Sequence, residues 1–168
     1  MGHEAVVKLY LQMPHYRDKP RFEEENALFF AAQGNQVHTL RILLEHAKTI
    51  DPKEYLSKLD WVLVCSCKRG ASATAKVALE YGADANETSL RPLSCLQLAA
   101  IAGSAPIVKM LLDAGAEIEA SNLLRNRSTG RMTPMRKFRD ALTEAKRRDY
   151  PAIVRLIEEA QQTRAGSA

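Results

Sequence analysis

Apolar positions along this chain return in one arrangement about every 33 residues. Gly2 to Gln12 reads GHEAVVKLYLQ, Asn35 to Glu45 NQVHTLRILLE, Gly70 to Glu80 GASATAKVALE, and Gly103 to Asp113 GSAPIVKMLLD. A weaker fifth copy, DYPAIVRLIEE, begins at Asp149, so the leading residues stand 33, 35, 33 and 46 apart. Lys8, Arg41, Lys76, Lys109 and Arg155 share one position of the pattern. After the opening Gly, Asn or Asp, apolar residues fall at i, i+1, i+3 and i+5, as in Val6, Val7, Leu9 and Leu11, which predicts a helix with one buried face. Upstream of copies two to four sits a shorter apolar segment ending in small residues: ALFFAAQGN from Ala27, VLVCSCKRG from Val62 and CLQLAAIAG from Cys95. The predicted unit is helix, tight turn, helix, then a connecting loop. Ala31, Ala32, Ala99 and Ala100 let neighbouring first helices approach closely. One such unit cannot bury its own apolar face, so neighbouring units must supply the cover.

These residues resemble the ankyrin repeat family, most clearly at SCLQLAAIAGSAPIVKMLLDAGAEIEA (Ser94 to Ala120), with support from LEYGADAN (Leu79 to Asn86). The resemblance implies an all-α, ankyrin-type helix-turn-helix repeat solenoid spanning nearly the whole chain. Its expected divisions are a partial repeat at 1–24, repeats at 25–58, 59–90 and 91–124, and a C-terminal capping repeat with a basic insertion at 125–168. The family's Thr-Pro-Leu-His turn is replaced by Asn26-Ala27-Leu28-Phe29, Trp61-Val62-Leu63-Val64 and Ser94-Cys95-Leu96-Gln97. Without the histidine, the usual hydrogen-bond network between repeats is expected to be absent at those positions and the repeats looser.

Both ends depart from the pattern. Gly2 aligns with the turn between helices, so the first copy lacks a first helix and the usual polar cap. A fragment of a longer array, or an eroded start, is the expected reason; an edge that binds something and a self-capping arrangement are the alternatives. Near the other end, Thr133-Pro134-Met135 is similar to the family's helix opening, with Thr133 as N-cap and Pro134 as first helical residue. A helix from there would gain two turns before the one starting near Pro151, with an apolar stripe of Met135, Phe138, Leu142 and Ala145. Between copies two and three, Asp51-Pro52-Lys53-Glu54 forms a capping-box pattern. Tyr55, Leu56, Leu59, Val62 and Leu63 continue the helical spacing, so a helix is expected in place of a hairpin finger. Glu23, Glu24 and Glu25 are expected just before a helix, complementing its positive end.

Composition narrows the chemistry. At 168 residues and 46% hydrophobic content the chain suffices for one compact array. No run of eighteen apolar residues and no signal-peptide pattern occurs, and three cysteines without metal-type spacing fit a reducing compartment, cytoplasmic or nuclear. The four histidines are scattered, and neither a phosphate loop nor a nucleophile turn is present. No catalytic, cofactor-binding or metal-binding residues are assigned, no cofactor is expected, and an enzyme is not. The charge is uneven. Residues 121–168 hold 11 Lys and Arg against 5 Asp and Glu, whereas the rest holds 13 against 15. Asp140 and Glu144 are placed to pair with Arg136 and Arg148 at four-residue spacing.

The resulting expectation is a noncatalytic scaffold or adaptor module that binds a protein partner on its concave face. By the resemblance, contact falls on loop tips (Phe22 to Glu25, Lys58 to Trp61, Ser89 to Arg91, Arg125 to Arg131) and on Gln33, Lys68 and Ile101 of the first helices. The partner-binding set is Phe22, Gln33, Trp61, Lys68, Arg91, Ile101, Arg125, Arg127, Arg131, Arg136 and Arg139. Trp61, at the place of the turn threonine, is read as packing first and a binding anchor second. The alternatives are an anion binder, taking nucleic acid or acidic lipid through Arg125, Arg127, Arg131, Arg136, Arg139 and Lys146, and a piece of a larger ankyrin scaffold.

Overall fold

The computed structural model describes residues 9, 20–50, 52, 54–87, 93–118, 123–125, 132–134 and 140–166, with backbone alone for 20–25, 50, 123–125 and 132–134. Among these residues lie eight helices and a two-stranded hairpin: α1 (Pro20–Gln33), α2 (Val37–Ile50), α3 (Tyr55–Arg69), α4 (Ser72–Glu80), α5 (Cys95–Ile101), α6 (Ala105–Asp113), β1 (Leu123–Arg125), β2 (Met132–Pro134), α7 (Ala141–Arg147) and α8 (Pro151–Ala165). The chain divides into two compact units, residues 1–66 with 71–84 and residues 67–70 with 85–168.

The residue type that opens each copy has a backbone cause. Asn35 (φ 55°), Gly70 (φ 70°), Gly103 (φ 72°) and Asp149 (φ 58°) all take the left-handed conformation that ends the first helix of a pair. The amide that follows each one reaches back five residues, Gln36 to Ala31, Ala71 to Ser66, Ser104 to Ala99 and Tyr150 to Ala145, at 2.9 to 3.1 Å. This is the Schellman closure, and it favours Gly, Asn or Asp at its left-handed position. Second helices end likewise at Gly82 (φ 98°) and Gly115 (φ 83°), 33 residues apart. Ala83 there donates to Ala78 and Ala116 to Leu111.

Burial follows the helical period. In α2, Leu40, Leu43, Leu44 and Ala47 are buried at i, i+3, i+4 and i+7; in α6, Ile107, Val108 and Leu111 are buried. The position eight after the left-handed residue, filled by Leu43, Ala78, Leu111 and Ile157, is at most 2% exposed throughout. Ile42 and Met110, which the i, i+1, i+3, i+5 spacing assigned to the core, are half-buried. Ala31 and Ala32 of α1 and Ala99 and Ala100 of α5 are buried, as close helix approach requires. Cys65, Cys67 and Cys95 are buried free thiols.

The first helices come in two lengths, and a side-chain cap starts each of the short ones. Ser94 and Asp140 each stand nine residues before the left-handed residue of their pair. Ser94 Oγ accepts from Gln97 N while Gln97 Oε1 accepts from Ser94 N, a complete capping box. Asp140 Oδ1 accepts from Thr143 N at 2.6 Å. Both caps start helices of seven residues, α5 and α7. The matching positions in the earlier pairs are Asn26 and Trp61, and there the helix runs through. Indole offers no acceptor for a cap, and α1 opens instead with Pro20, suited to a first helical position. α1 and α3 are therefore 14 and 15 residues long.

Several expectations change accordingly. Phe22 to Glu25 and Lys58 to Trp61 are helical rather than loop tips, and Glu23 to Glu25 lie inside α1 rather than before it. Thr133 and Pro134 open no helix. They belong to β2, which pairs antiparallel with β1 in the register Leu123 with Pro134, Leu124 with Thr133 and Arg125 with Met132. The helix starts at Ala141 because Asp140 caps it, so the two added turns expected after Pro134 are not part of α7. Met135, Phe138, Asp51 and Lys53 lie outside the described residues, and so do residues 1–8 and 10–19 of the first copy. The all-α fold class holds apart from the short hairpin.

Within the first unit the two helix pairs are joined by hydrogen bonds at the turn rather than at the replaced histidine positions. Asn35 Oδ1 accepts from Thr74 N at 3.2 Å. The buried Thr74 hydroxyl lies 3.0 Å from the Ala32 carbonyl and 3.0 Å from the Ser66 hydroxyl. At the surface Arg41 bonds Glu80 at 2.8 Å and lies 5.6 Å from the Tyr81 ring centroid, and both partners hold its guanidinium pKa above the ordinary value. Within the second unit, the Asn86 side chain bridges successive loops, accepting from Glu117 N at 2.7 Å and donating to Gly115 O at 3.3 Å. Glu144 pairs with Arg147 and Arg148, and hydrogen bonds from Arg147 first and Arg148 second hold its carboxyl below the usual range against the opposing effect of burial.

Candidate protein-docking face

The added turns of α3 bring Trp61 against α1. Phe29 stacks on Trp61 with ring centroids 6.4 Å apart and planes 19° from parallel. Phe30 meets Phe29 edge-on at 5.5 Å and 75°. Both geometries are the favourable ones for aromatic quadrupoles. Phe29 and Trp61 are half-buried, whereas Phe30 is 68% exposed. The cluster is thus packed on one side and open on the other.

The register of α1 shows why Phe30 is unusual. It stands five residues before its left-handed turn residue, a position held by Cys65 in α3 (2% exposed) and Leu98 in α5 (7% exposed). Phe29 occupies the position of Val64 and Gln97, at 1% and 3%. Two neighbouring positions that are core in α3 and α5, though not in α7, where Thr143 is exposed and Glu144 half-buried, are therefore only partly covered in α1. Neither phenylalanine was among the expected contact residues. The signal present in the sequence is the alignment of Phe30 with Cys65 and Leu98.

The expected contact residues fall into three groups. Trp61 joins the aromatic cluster. Gln33, Lys68 and Ile101 each stand two residues before a left-handed residue, at one register position of their helix pairs; Lys68 is exposed and the other two half-buried. Phe22 lies in α1 and Arg125 in β1, where backbone alone is described. Arg91, Arg127, Arg131, Arg136 and Arg139 lie outside the described residues. Lys58, expected at a tip, is only 8% exposed on α3. Lys146, assigned to the basic stripe, pairs with Glu158 at 2.8 Å.

Convergent chemistry is not found elsewhere among the described residues. No group of three His, Cys, Asp or Glu is placed to hold a metal ion. In the second unit an open cleft of about 580 Å³ is lined by Glu117, Ile118, Gln161, Arg164 and Ala165. Arg164 is tied there to the Ala116 carbonyl at 3.0 Å, and the lining residues include no nucleophile beside a base. No described helix is long and apolar enough to cross a membrane.

No curated protein matches the chain in sequence. Residues 93–123, which carry α5, its Ser94 cap, the Gly103 turn and α6, match the family model described as Ankyrin repeat. With that match set among paired helices closed by one recurring turn, residues 93–123 form an ankyrin repeat.

Proposed function

We propose that this chain is a noncatalytic docking module that binds a protein partner through the surface of its first helices. Ankyrin repeats commonly serve as protein-interaction modules, and this supports the class of function. The observation that supports the face is the aromatic cluster of Phe29, Phe30 and Trp61, open at Phe30. Aromatic side chains supply a disproportionate share of binding energy at protein interfaces, and an exposed phenylalanine resting on a packed aromatic base is such an anchor.

Capture of partners from a cytosolic extract at low and high salt tests this reading. The intact chain is compared with Phe30→Ser and with a variant carrying Arg125, Arg127, Arg131, Arg136 and Arg139 as Ala. A discrete protein that survives high salt and the arginine substitutions, and is lost with Phe30→Ser, supports the aromatic face. The second reading, an anion binder, draws on the sequence, in which Arg127 and Arg131 fall between Arg125 of β1 and Met132 of β2. Loss of binding with salt or with the arginines, together with co-purifying nucleic acid or acidic lipid, would replace the first reading with the second.

A further inference from the structure

Resting on the protein-interaction reading but not on the aromatic face, we propose that the turn edge of the second unit binds an extended acidic segment of a partner protein. Two cation pairs, Lys68 with Arg69 and Arg147 with Arg148, take its carboxylates. Ile101 and Ala102 between them take an apolar residue.

The edge is continuous because successive turns touch. A Cβ on Gly70 would lie 3.8 Å from Ser104 Cβ and 3.9 Å from Ala102 Cβ, the two residues that flank Gly103. Gly103 itself lies against the ring of Tyr150, which follows the turn residue Asp149. The three left-handed residues thus stand in one row. The two residues before each are Lys68 and Arg69, Ile101 and Ala102, and Arg147 and Arg148; all are exposed except Ile101, which is half-buried.

Charge is concentrated on this edge. Among the residues of the second unit whose side chains are described, eight Lys and Arg balance eight Asp and Glu. Five of those cations, Lys68, Arg69, Lys146, Arg147 and Arg148, fall within three residues of Gly70, Gly103 or Asp149, and Asp149 is the one described carboxylate of the unit in those positions. Glu144 bonds both Arg147 and Arg148, and Glu158 pairs with Lys146. Two arginines therefore share one carboxylate, while Lys68 and Arg69 make no ion pair among the described residues. Helix polarity does not demand these cations, since α5 and α6 end without a basic residue in the last turn.

Spacing decides the class of anion. Neighbouring helices pack about 8 to 10 Å apart, which sets the two cation pairs roughly 16 to 20 Å from each other. About five or six residues of extended chain cover that span at about 3.3 Å each. A nucleic-acid strand carries a charge at every residue and would set phosphates over Ile101 and Ala102, where no cation answers them. A peptide can place carboxylates over both pairs and an apolar side chain over Ile101. Guanidinium groups bond carboxylates through paired N–H donors, so clustered arginines suit an acidic motif.

The full-length protein is titrated at low salt, by fluorescence anisotropy, against a labelled peptide Glu-Glu-Ser-Leu-Ser-Glu-Glu and against a peptide of the same composition with its four glutamates contiguous. The spaced peptide is expected to saturate and to bind roughly fivefold or more tightly than the contiguous one, the worth of two exposed ion pairs. Lys68→Gln/Arg69→Gln is expected to weaken the spaced peptide by about the same factor. Lys68→Arg/Arg69→Lys keeps the charge and should keep the affinity, which separates complementarity from an effect on folding. Ile101→Lys puts a cation in the gap and should remove the preference between the peptides.

Equal binding of both peptides by the unaltered chain, an unchanged affinity in Lys68→Gln/Arg69→Gln, or tighter binding of a seven-nucleotide deoxythymidylate strand than of the spaced peptide overturns the proposal. If neither peptide binds while a captured protein is still lost with Phe30→Ser, the acidic-segment proposal falls and the docking reading stands. Failure of the docking reading shows instead as no protein captured by the intact chain.

Discussion

Gly103 is where backbone conformation and close packing coincide, and replacing it with alanine separates the two. Its φ of 72° is left-handed, which costs an L-residue about 1 to 2 kcal/mol. A Cβ there would also stand 2.9 Å from Tyr150 Cζ and 3.1 Å from both Cε2 and the hydroxyl oxygen, inside normal contact distance. Overpacking of this kind adds about 1 to 3 kcal/mol, so Gly103→Ala should destabilise by roughly 2 to 5 kcal/mol in total. Gly115 supplies the control. Its φ is 83° and nothing lies within 4 Å of its Cβ position, so Gly115→Ala should cost only the conformational share. Urea denaturation followed by circular dichroism at 222 nm measures both. A cycle with Tyr150→Ala then isolates the contact, because Gly103→Ala should cost no more than Gly115→Ala once the ring is gone. Equal losses for the two glycines with Tyr150 present, or an undiminished Gly103 loss without the ring, would refute the packing argument.

Asp149→Gly should stabilise the chain by about 0.5 to 1 kcal/mol, since Asp149 holds φ 58° in a turn that glycine adopts freely; thermal melts give the direction. Asn35→Gly should gain less or nothing, because Asn35 also accepts the Thr74 amide. Thr74→Val should destabilise by about 1 to 2 kcal/mol, as it removes the buried hydroxyl that meets Ala32 and Ser66 while keeping the shape; denaturant midpoints decide. Glu144 has a lowered pKa in the folded chain, so its stabilising contribution is complete above the ordinary carboxylate pKa and is lost as pH falls through its folded value. Glu144→Gln should therefore flatten the decline of stability on the acid side of about pH 4.3, read from urea midpoints across pH, and a parallel decline in both proteins would exclude the group.

The period and the turn residues were legible because a left-handed position admits few residue types. Asn35, Gly70, Gly103 and Asp149 could be aligned by eye for that reason, and the helix pairs follow from them. The lengths of the first helices were harder to read. Asn26, Trp61, Ser94 and Asp140 occupy one register position, yet whether a helix starts there depends on whether the side chain accepts a backbone amide. Asp140 does so and overrides the Thr133-Pro134 opening, a locally good signal that lost to strand pairing with β1. Trp61 was found as a candidate, although its role depends on Phe29, a contact between residues 32 apart that no local pattern encodes. Lys58 was read as a tip residue from its position in the repeat alone, and α3 places it where only 8% remains exposed.

The turn that joins each helix pair is closed by the same main-chain hydrogen bonds in every described pair, around one left-handed residue, with side-chain bonds such as Gln36 Nε2 to the Gly34 carbonyl added in single copies. Nothing in that closure depends on the side chain two residues earlier, where the chain places Gln33, Lys68, Ile101 and Arg147. An amide, an amine, an aliphatic group and a guanidinium thus occupy the same backbone position. Residue chemistry there can change without disturbing the pairing of helices, so affinity for a new ligand can be selected at these positions while the frame that carries them stays as it is.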